Sequence, residues 1–382
     1  MRSMGLLLAT VALMASLLQS EAAAQPRRAA DAQKTPQTLY SSPSGTIAAF
    51  AQDGQLLAWF APSAKRCNSI HLLSLANAGL VVLPDERPSA RNVTCQWDVA
   101  QPVHLALSGT SVLWTLRDKL SPLPFDYLLG ASSVDPRERR FEEIAHAGHG
   151  AGLWFGGIAG DSKIDGSSLV YAVTAVAYHN ELACLSKSSC EMRISDAGSG
   201  VFRVVGRQWF KITGTSAAID VAVSGSSVAY IRTASVGPNG EPHASASLPI
   251  EIRDSETGQP RASIIPKGTP LAVALSPSVL ATLERTKLGT RLAWYDAATG
   301  APSGSVPVPA ATAPELTASD QLVVFRVGRS IRAANVLTHR VLTLAHAAAI
   351  PVGLSLEGTR LAWAENIRGH GRIRALFVGG RG

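Results

Sequence analysis

Residues 355–366 read S-L-E-G-T-R-L-A-W-A-E-N: a short apolar strand, a polar turn at Glu357-Gly358, then a second strand opening on the triplet Leu361-Ala362-Trp363. Weaker copies of this unit recur along the chain. Taking the middle of each turn as a marker gives Asp53, Gly109, Gly166, Gly225, Pro277, Asp320 and Glu357. The strand after each marker carries Leu57-Ala58-Trp59, Val112-Leu113-Trp114, Leu169-Val170-Tyr171, Val228-Ala229-Tyr230, Val279-Leu280-Ala281, Val323-Val324-Phe325 and Leu361-Ala362-Trp363, with an aromatic third in all but the fifth. Strands that are apolar on both faces belong in sheets covered on both sides, as in the stacked blades of a propeller. The markers lie 37 to 59 residues apart, and a four-stranded blade needs about 40–45 residues, so the spacing predicts an all-β, seven-bladed β-propeller over residues 38–379.

A second signature supports the phase. Asp196, Asp254 and Asp296 are each followed four residues later by Gly200, Gly258 and Gly300, and two of these stretches read D-x-x-T-G. Such a turn suits the hairpin between the outer two strands, because Asp accepts the turn's own N–H groups and Gly takes the positive φ. Residues 335–339 form a degraded copy. The last repeat supplies only three strands, so residues 38–42 are expected to pair with it as the fourth and to remove both free sheet edges. The turn, the triplet and the D-x-x-T-G hairpin together resemble the TolB-like and related WD-repeat-like propellers of bacteria. The resemblance covers the propeller region only, without the N-terminal α/β domain of true TolB. It implies a propeller fold and a binding role, and brings no catalytic residues.

Composition agrees with many short buried strands: 46% of the 382 residues are hydrophobic and 16% charged, with 33 Gly and 22 Pro. Residues 1–24 read as a cleavable secretory signal, with Arg2 ahead of a 14-residue apolar run (5–18) and Ala22-Ala23-Ala24 before Gln25. Residues 25–37 read as a flexible segment. No other long apolar stretch follows, so the expectation is a secreted, periplasmic or cell-envelope protein with no integral membrane segment in the mature chain. In that setting the four cysteines read as structural bridges between sequence neighbours, Cys67–Cys95 and Cys184–Cys190. Loop-closure entropy assigns about 3.5 and about 2–2.5 kcal/mol to them.

The chemistry is sparse. The sequence holds no G-x-S-x-G, H-E-x-x-H or P-loop, and no cofactor is expected. His146, His149, Asp161 and Asp165 form the densest ligand-like cluster, but Lys163 sits between the acids and breaks a calcium-loop pattern, so no metal site is assigned. Glu142 and Glu143 are strand neighbours that point to opposite faces and do not cooperate. Charge says more. From residue 326 onward nine Arg stand against two acids, Glu357 and Glu365, while residues 25–325 are balanced. Arg326, Arg329, Arg332, Arg368, Arg372 and Arg374 are therefore the candidate anion surface, since clustered Arg suits phosphate or carboxylate partners. The expected partner is a protein or an anionic envelope polymer, not nucleic acid. The alternative is a propeller-fold hydrolase or lyase acting on glycan or peptide. Mass mapping of the oxidised protein is expected to return peptides linking Cys67 to Cys95 and Cys184 to Cys190. A Cys95–Cys184 link would refute the pairing.

Overall fold

The computed structural model describes residues 35–43, 45–62, 68–84, 86–88, 93–95, 100–109, 111–118, 127–133, 142–146, 151–162, 169–179, 193–205, 208–236, 242–310 and 315–378. Cys67, Cys184 and Cys190 lie outside them; Cys95 ends a described strand, Val93–Cys95. The described residues are all strand and turn, with no helix among them, and form a β-propeller. Six sheets have four strands; the fifth strand of another, Pro242–Ala244, pairs with the overlong second strand Ser227–Val236. A two-stranded ribbon, Glu86–Pro88 with Val93–Cys95, stands apart.

We number the larger sheets by their innermost strands in chain order. These are Ala49–Asp53 (sheet 1), Ala100–Ser108 (2), Ala151–Ser162 (3), Ala218–Ser224 (4), Thr269–Leu275 (5), the short Leu316–Ala318 (6) and Pro351–Glu357 (7). Each touches the next, and the last touches the first. Pairing within the sheets is antiparallel. The connections that lead from one sheet to the next therefore share one end with the hairpins between second and third strands. That is the crossover end. The first and third hairpins share the far end.

The triplets explain the stacking. Along Leu56–Pro62, Leu57 and Trp59 enter the cluster shared with sheet 7, while Ala58 and Phe60 enter the cluster shared with sheet 2. Both faces of one strand are thus core, and Trp59, Trp114, Tyr230 and Trp363 are all buried. Sheet 5 departs from the expected phase. Leu275 pairs with Leu280 as Leu356 pairs with Leu361, so the triplet there is Leu280-Ala281-Thr282 and Thr282 holds the aromatic's place. Its hydroxyl donates to the Ala272 carbonyl (2.9 Å), and the bulk comes from the neighbouring strand, where Trp294 lies opposite Ala281.

The far-end hairpins carry the aspartate chemistry. Asp254 Oδ1 accepts from the Thr257 N–H (2.8 Å) and hydroxyl (3.0 Å), and Gly258 has φ +73°. Asp296, Thr299 and Gly300 repeat this arrangement. In residues 335–339 Asn335 takes the aspartate's part and His339 adopts φ +57° in place of glycine. That conformation costs about 1–2 kcal/mol, and the His339 ring packs edge-on against Trp294 (centroids 5.1 Å). Asp196 and Gly200 are not such a turn. They lie inside one long strand, Arg193–Val205, where the register with Leu169–His179 slips; the hairpin itself follows Val205, which pairs with Gln208. An extra residue in a bulge needs the same small, permissive backbone as a turn, so the spacing alone does not separate the two.

Closure comes from the N-terminal strand Gln37–Ser41, which pairs with His370–Phe377 and completes sheet 7. The chain then crosses to sheet 1 under tight control. The Asn366 side chain accepts the Ile47 N–H and donates to the Ile47 carbonyl, both at 2.8 Å. Gly371 lies so close that a Cβ there would meet Ile47 Cγ1 at 2.6 Å. Asn366→Ala leaves both backbone groups of Ile47 without these partners, which costs about 1–3 kcal/mol each when buried. Its unfolding free energy is expected to fall by about 2–6 kcal/mol, read as a lower urea midpoint at unchanged slope; an unchanged midpoint would show that Asn366 plays no part in closure.

Candidate functional site

The inner strands of sheets 2, 4 and 5 slip register at matching points, just before His104, Asp220 and Ala272, and that of sheet 7 slips one residue further on, before Leu354. A bulge re-aims the side chains beside it. Counted back five residues from Gly109, Gly225 and Asp320 in the turns that follow, His104, Asp220 and Glu315 sit at one level of the central channel, contributed by sheets 2, 4 and 6. The channel encloses about 550 Å³, and its wall at other positions is mainly small and apolar, as at Ala49, Ala106, Ala222 and Ala274. This level lies toward the crossover end of the inner strands.

Both carboxylates stitch adjacent sheets together. Asp220 Oδ1 accepts from Val221 N–H and Oδ2 from Val273 N–H of sheet 5, each at 2.9 Å. Glu315 Oε1 accepts from Arg326 (3.1 Å) and from Gly353 N–H of sheet 7 (3.3 Å). Burial pushes Asp220 up to about 7, against two N–H donors that pull it down. Burial likewise raises Glu315, opposed chiefly by Arg326, and lowers His104 to about 4. Near neutral pH the level therefore holds a neutral imidazole and a carboxyl close to its midpoint.

The six arginines do not form one surface. Arg326 is buried against Glu315. Arg372 donates to the fully buried Glu365 at 2.5 Å. Arg374 approaches the same carboxylate at 3.7 Å and donates to the Pro36 carbonyl at 2.6 Å, holding the start of the closing strand. Arg332 is half-buried, whereas Arg329 and Arg368 are exposed at hairpins of the crossover end. There the structure adds basic residues that counting Arg from residue 326 onward misses: Lys267 on the connection into sheet 5, and Arg285 and Lys287 at its hairpin, all exposed. Across residues 265–378 the acids at this end among the described residues are covered or paired: Glu284 and Glu365 are fully buried, and Glu315, its side chain 27% exposed, pairs with Arg326. The acids sit at the far end instead, in turns such as Asp254, Asp296 and Asp320.

Of the ligand-like cluster noted in the sequence, His149 and Asp165 lie outside the described residues, and no group of three or more metal-ligating side chains occurs among those described. No helix among them is long and apolar enough to cross a membrane. The channel level was legible in principle. His104, Asp220 and Glu315 each stand five residues before a turn marker, Gly109, Gly225 and Asp320.

No protein-family model matches the chain, and no curated protein matches it. Solved structures do. The β-propeller domain of the Trilobed protease from Pyrococcus furiosus, which shows an open velcro topology, is 9% identical at TM-score 0.50, over 88% of this chain and 94% of that one. A chain of a mitotic checkpoint complex is 13% identical at TM-score 0.52, over 91% and 93%. At such identity the likeness shows the propeller fold alone.

The Asp220 displacement sets a pH dependence. Between about pH 4 and 7 the folded state keeps a proton that the unfolded chain has released, so this group's contribution to stability falls as pH rises through that window. His104 works oppositely, adding stability as pH rises from about 4 to 6.5. The difference in urea stability between wild type and Asp220→Asn isolates the first effect. It is expected to move against wild type from pH 4 to 7 and to level off above; a flat difference would refute the assignment.

Proposed function

We propose that the chain is an exported, seven-bladed propeller of the TolB-like or WD-repeat-like kind, serving as a binding scaffold for an anionic partner at its crossover end. The seven ring-forming sheets support the blade count, with the sheet of five strands as one blade carrying an added strand. The apolar N-terminal run and its small-residue site support export. The observation that carries the binding role is the uneven sorting of charge: exposed Lys267, Arg285, Lys287, Arg329 and Arg368 at one end of sheets 5–7, and at the other Asp296 and Asp320 with the single exposed Arg340 among the described residues. Of the six arginines marked in the sequence, Arg329 and Arg368 belong to this surface, with Arg332 behind them. Arg326, Arg372 and Arg374 support the framework.

A second reading, a propeller-fold hydrolase or lyase, draws on one observation. His104 and Asp220 share a channel level with pKa values pushed apart by burial, the pattern of paired acid and base groups. Against it, both channel carboxylates already accept backbone N–H groups of the next sheet.

Heparin retention tests the binding role. Each exposed charge facing an anionic surface contributes about 1 kcal/mol. Combined Lys287→Ala, Arg329→Ala and Arg368→Ala is therefore expected to weaken retention at 0.15 M salt on the order of a hundredfold. Arg332→Ala is expected to change little. Equal elution of wild type and the triple variant would overturn the proposal.

A further inference from the structure

Three large aliphatic side chains share the crossover end with the basic residues. Leu288 is 102% exposed, Ile265 64% and Ile350 58%. Leu288 occupies the tip of the sheet 5 hairpin, between Lys287 and Gly289. Nothing in that turn calls for leucine, because two-residue hairpins favour Asn, Asp and Gly at the tip. The equivalent tips in sheets 6 and 7 are Gly328-Arg329 and Arg368-Gly369.

The two isoleucines are placed among the bases by the fold. Residues 265–268 run against the sheet 5 hairpin: Thr269 pairs with Arg285, and a Cβ on Gly268 would meet the Arg285 carbonyl. Residues 347–350 lie against the sheet 6 hairpin, where Ala347 N–H donates to the Arg329 carbonyl and Arg329 donates to the Ala348 carbonyl. Each connection thus sets an exposed isoleucine beside an exposed cation. An isolated surface leucine is ordinary. Three at one end, in connections and hairpin tips with bases and no exposed acid among the described residues, form an amphipathic surface.

We propose that the crossover end of sheets 5–7 docks on an anionic lipid bilayer, with Leu288, Ile265 and Ile350 entering the headgroup region and the neighbouring Lys and Arg facing lipid phosphates. This rests on the reading that this end binds an anionic partner, and it names the partner. A soluble polyanion satisfies the cations but offers nothing to the aliphatic tips. A bilayer surface offers both, since interfacial binding scales with buried apolar area plus attraction to anionic lipid. Leu337, 80% exposed in a far-end turn, has Arg340 and Leu342 exposed nearby but stands at the end that carries the acids, and serves as the control.

The test is sedimentation with vesicles of phosphatidylcholine alone or with 30% phosphatidylglycerol at 0.1 M salt, alongside heparin elution of the same proteins. Wild type is expected to sediment with the anionic vesicles and far less with the neutral ones. Leu288→Ser is expected to lose about tenfold in vesicle partitioning, the scale of one leucine's burial, while eluting from heparin at the wild-type salt. Leu337→Ser is expected to match wild type in both. Being exposed, both sites tolerate serine, and unchanged circular dichroism melting verifies that. Heparin binding without vesicle binding overturns the membrane proposal and leaves the anionic-partner reading standing. Failure of both overturns both, and equal vesicle binding by wild type and Leu288→Ser removes the apolar contact on which the proposal depends.

Discussion

The pairing of Gln37–Ser41 with His370–Phe377 is the contact on which the remainder relies. It joins segments more than 300 residues apart, so it is entropically costly to form and must be locked once made. The locks are polar and specific. Asn366 grips both backbone groups of Ile47, and Gln52 donates to the Ser355 and Arg360 carbonyls while accepting from the Arg360 side chain. Arg374 holds the Pro36 carbonyl, and Tyr40 packs against Trp59 with its ring tilted by 43° and ring centroids 4.4 Å apart. Only with the ring closed do the inner strands face one channel and bring His104, Asp220 and Glu315 to one level.

Buried carboxylates recur wherever one sheet must be registered on the next. Glu284 and Glu365 occupy matching places at the ends of second strands, each facing an arginine across the hairpin, Arg291 and Arg372. Each also accepts an N–H of the connection entering its own sheet, from Gly268 at 3.0 Å and Ala348 at 2.7 Å. A buried ion pair contributes little net stability against an apolar substitute, but losing one partner strands a charge. The pairs thus specify where a connection lies more than they stabilise it. They also consume arginines that the linear charge count assigns to a surface.

The fold was legible because a strand with both faces buried leaves a dense apolar triplet, and the triplets of most sheets sit in phase with their turns. Sheet 5 was misphased because Thr282 replaces the aromatic and Trp294 supplies the volume from another strand, a compensation visible only in three dimensions. The Asp196 to Gly200 spacing belonged to a bulge. The arginines were visible as a cluster, but their roles depend on strand phase. Arg368 falls on a hairpin tip and Arg372, four residues later, falls opposite Glu365. A one-dimensional count has no access to that difference. Lys267, Arg285 and Lys287 were overlooked because they precede residue 326, yet the ring places them beside Arg329 and Arg368.

The distribution of charge between the two ends separates what folding requires from what it leaves free. Acids at the far end are explained by turn chemistry and by registration of neighbouring sheets. Asp254 and Asp296 accept N–H groups of their own turns, and Asp53 and Asp320 accept the N–H groups of Gly109 and Ser278 in adjoining sheets. Any sequence adopting this fold needs acceptors there. At the crossover end the acceptors are the buried Glu284 and Glu365 and the half-buried Glu315, all already paired, so the exposed positions carry no such demand. Yet those positions hold cations, and one tip holds Leu288, whose exposure adds nothing to the fold. A feature that folding explains gives no information about a partner. The features it leaves unexplained are concentrated at the crossover end, and the partner is to be sought there.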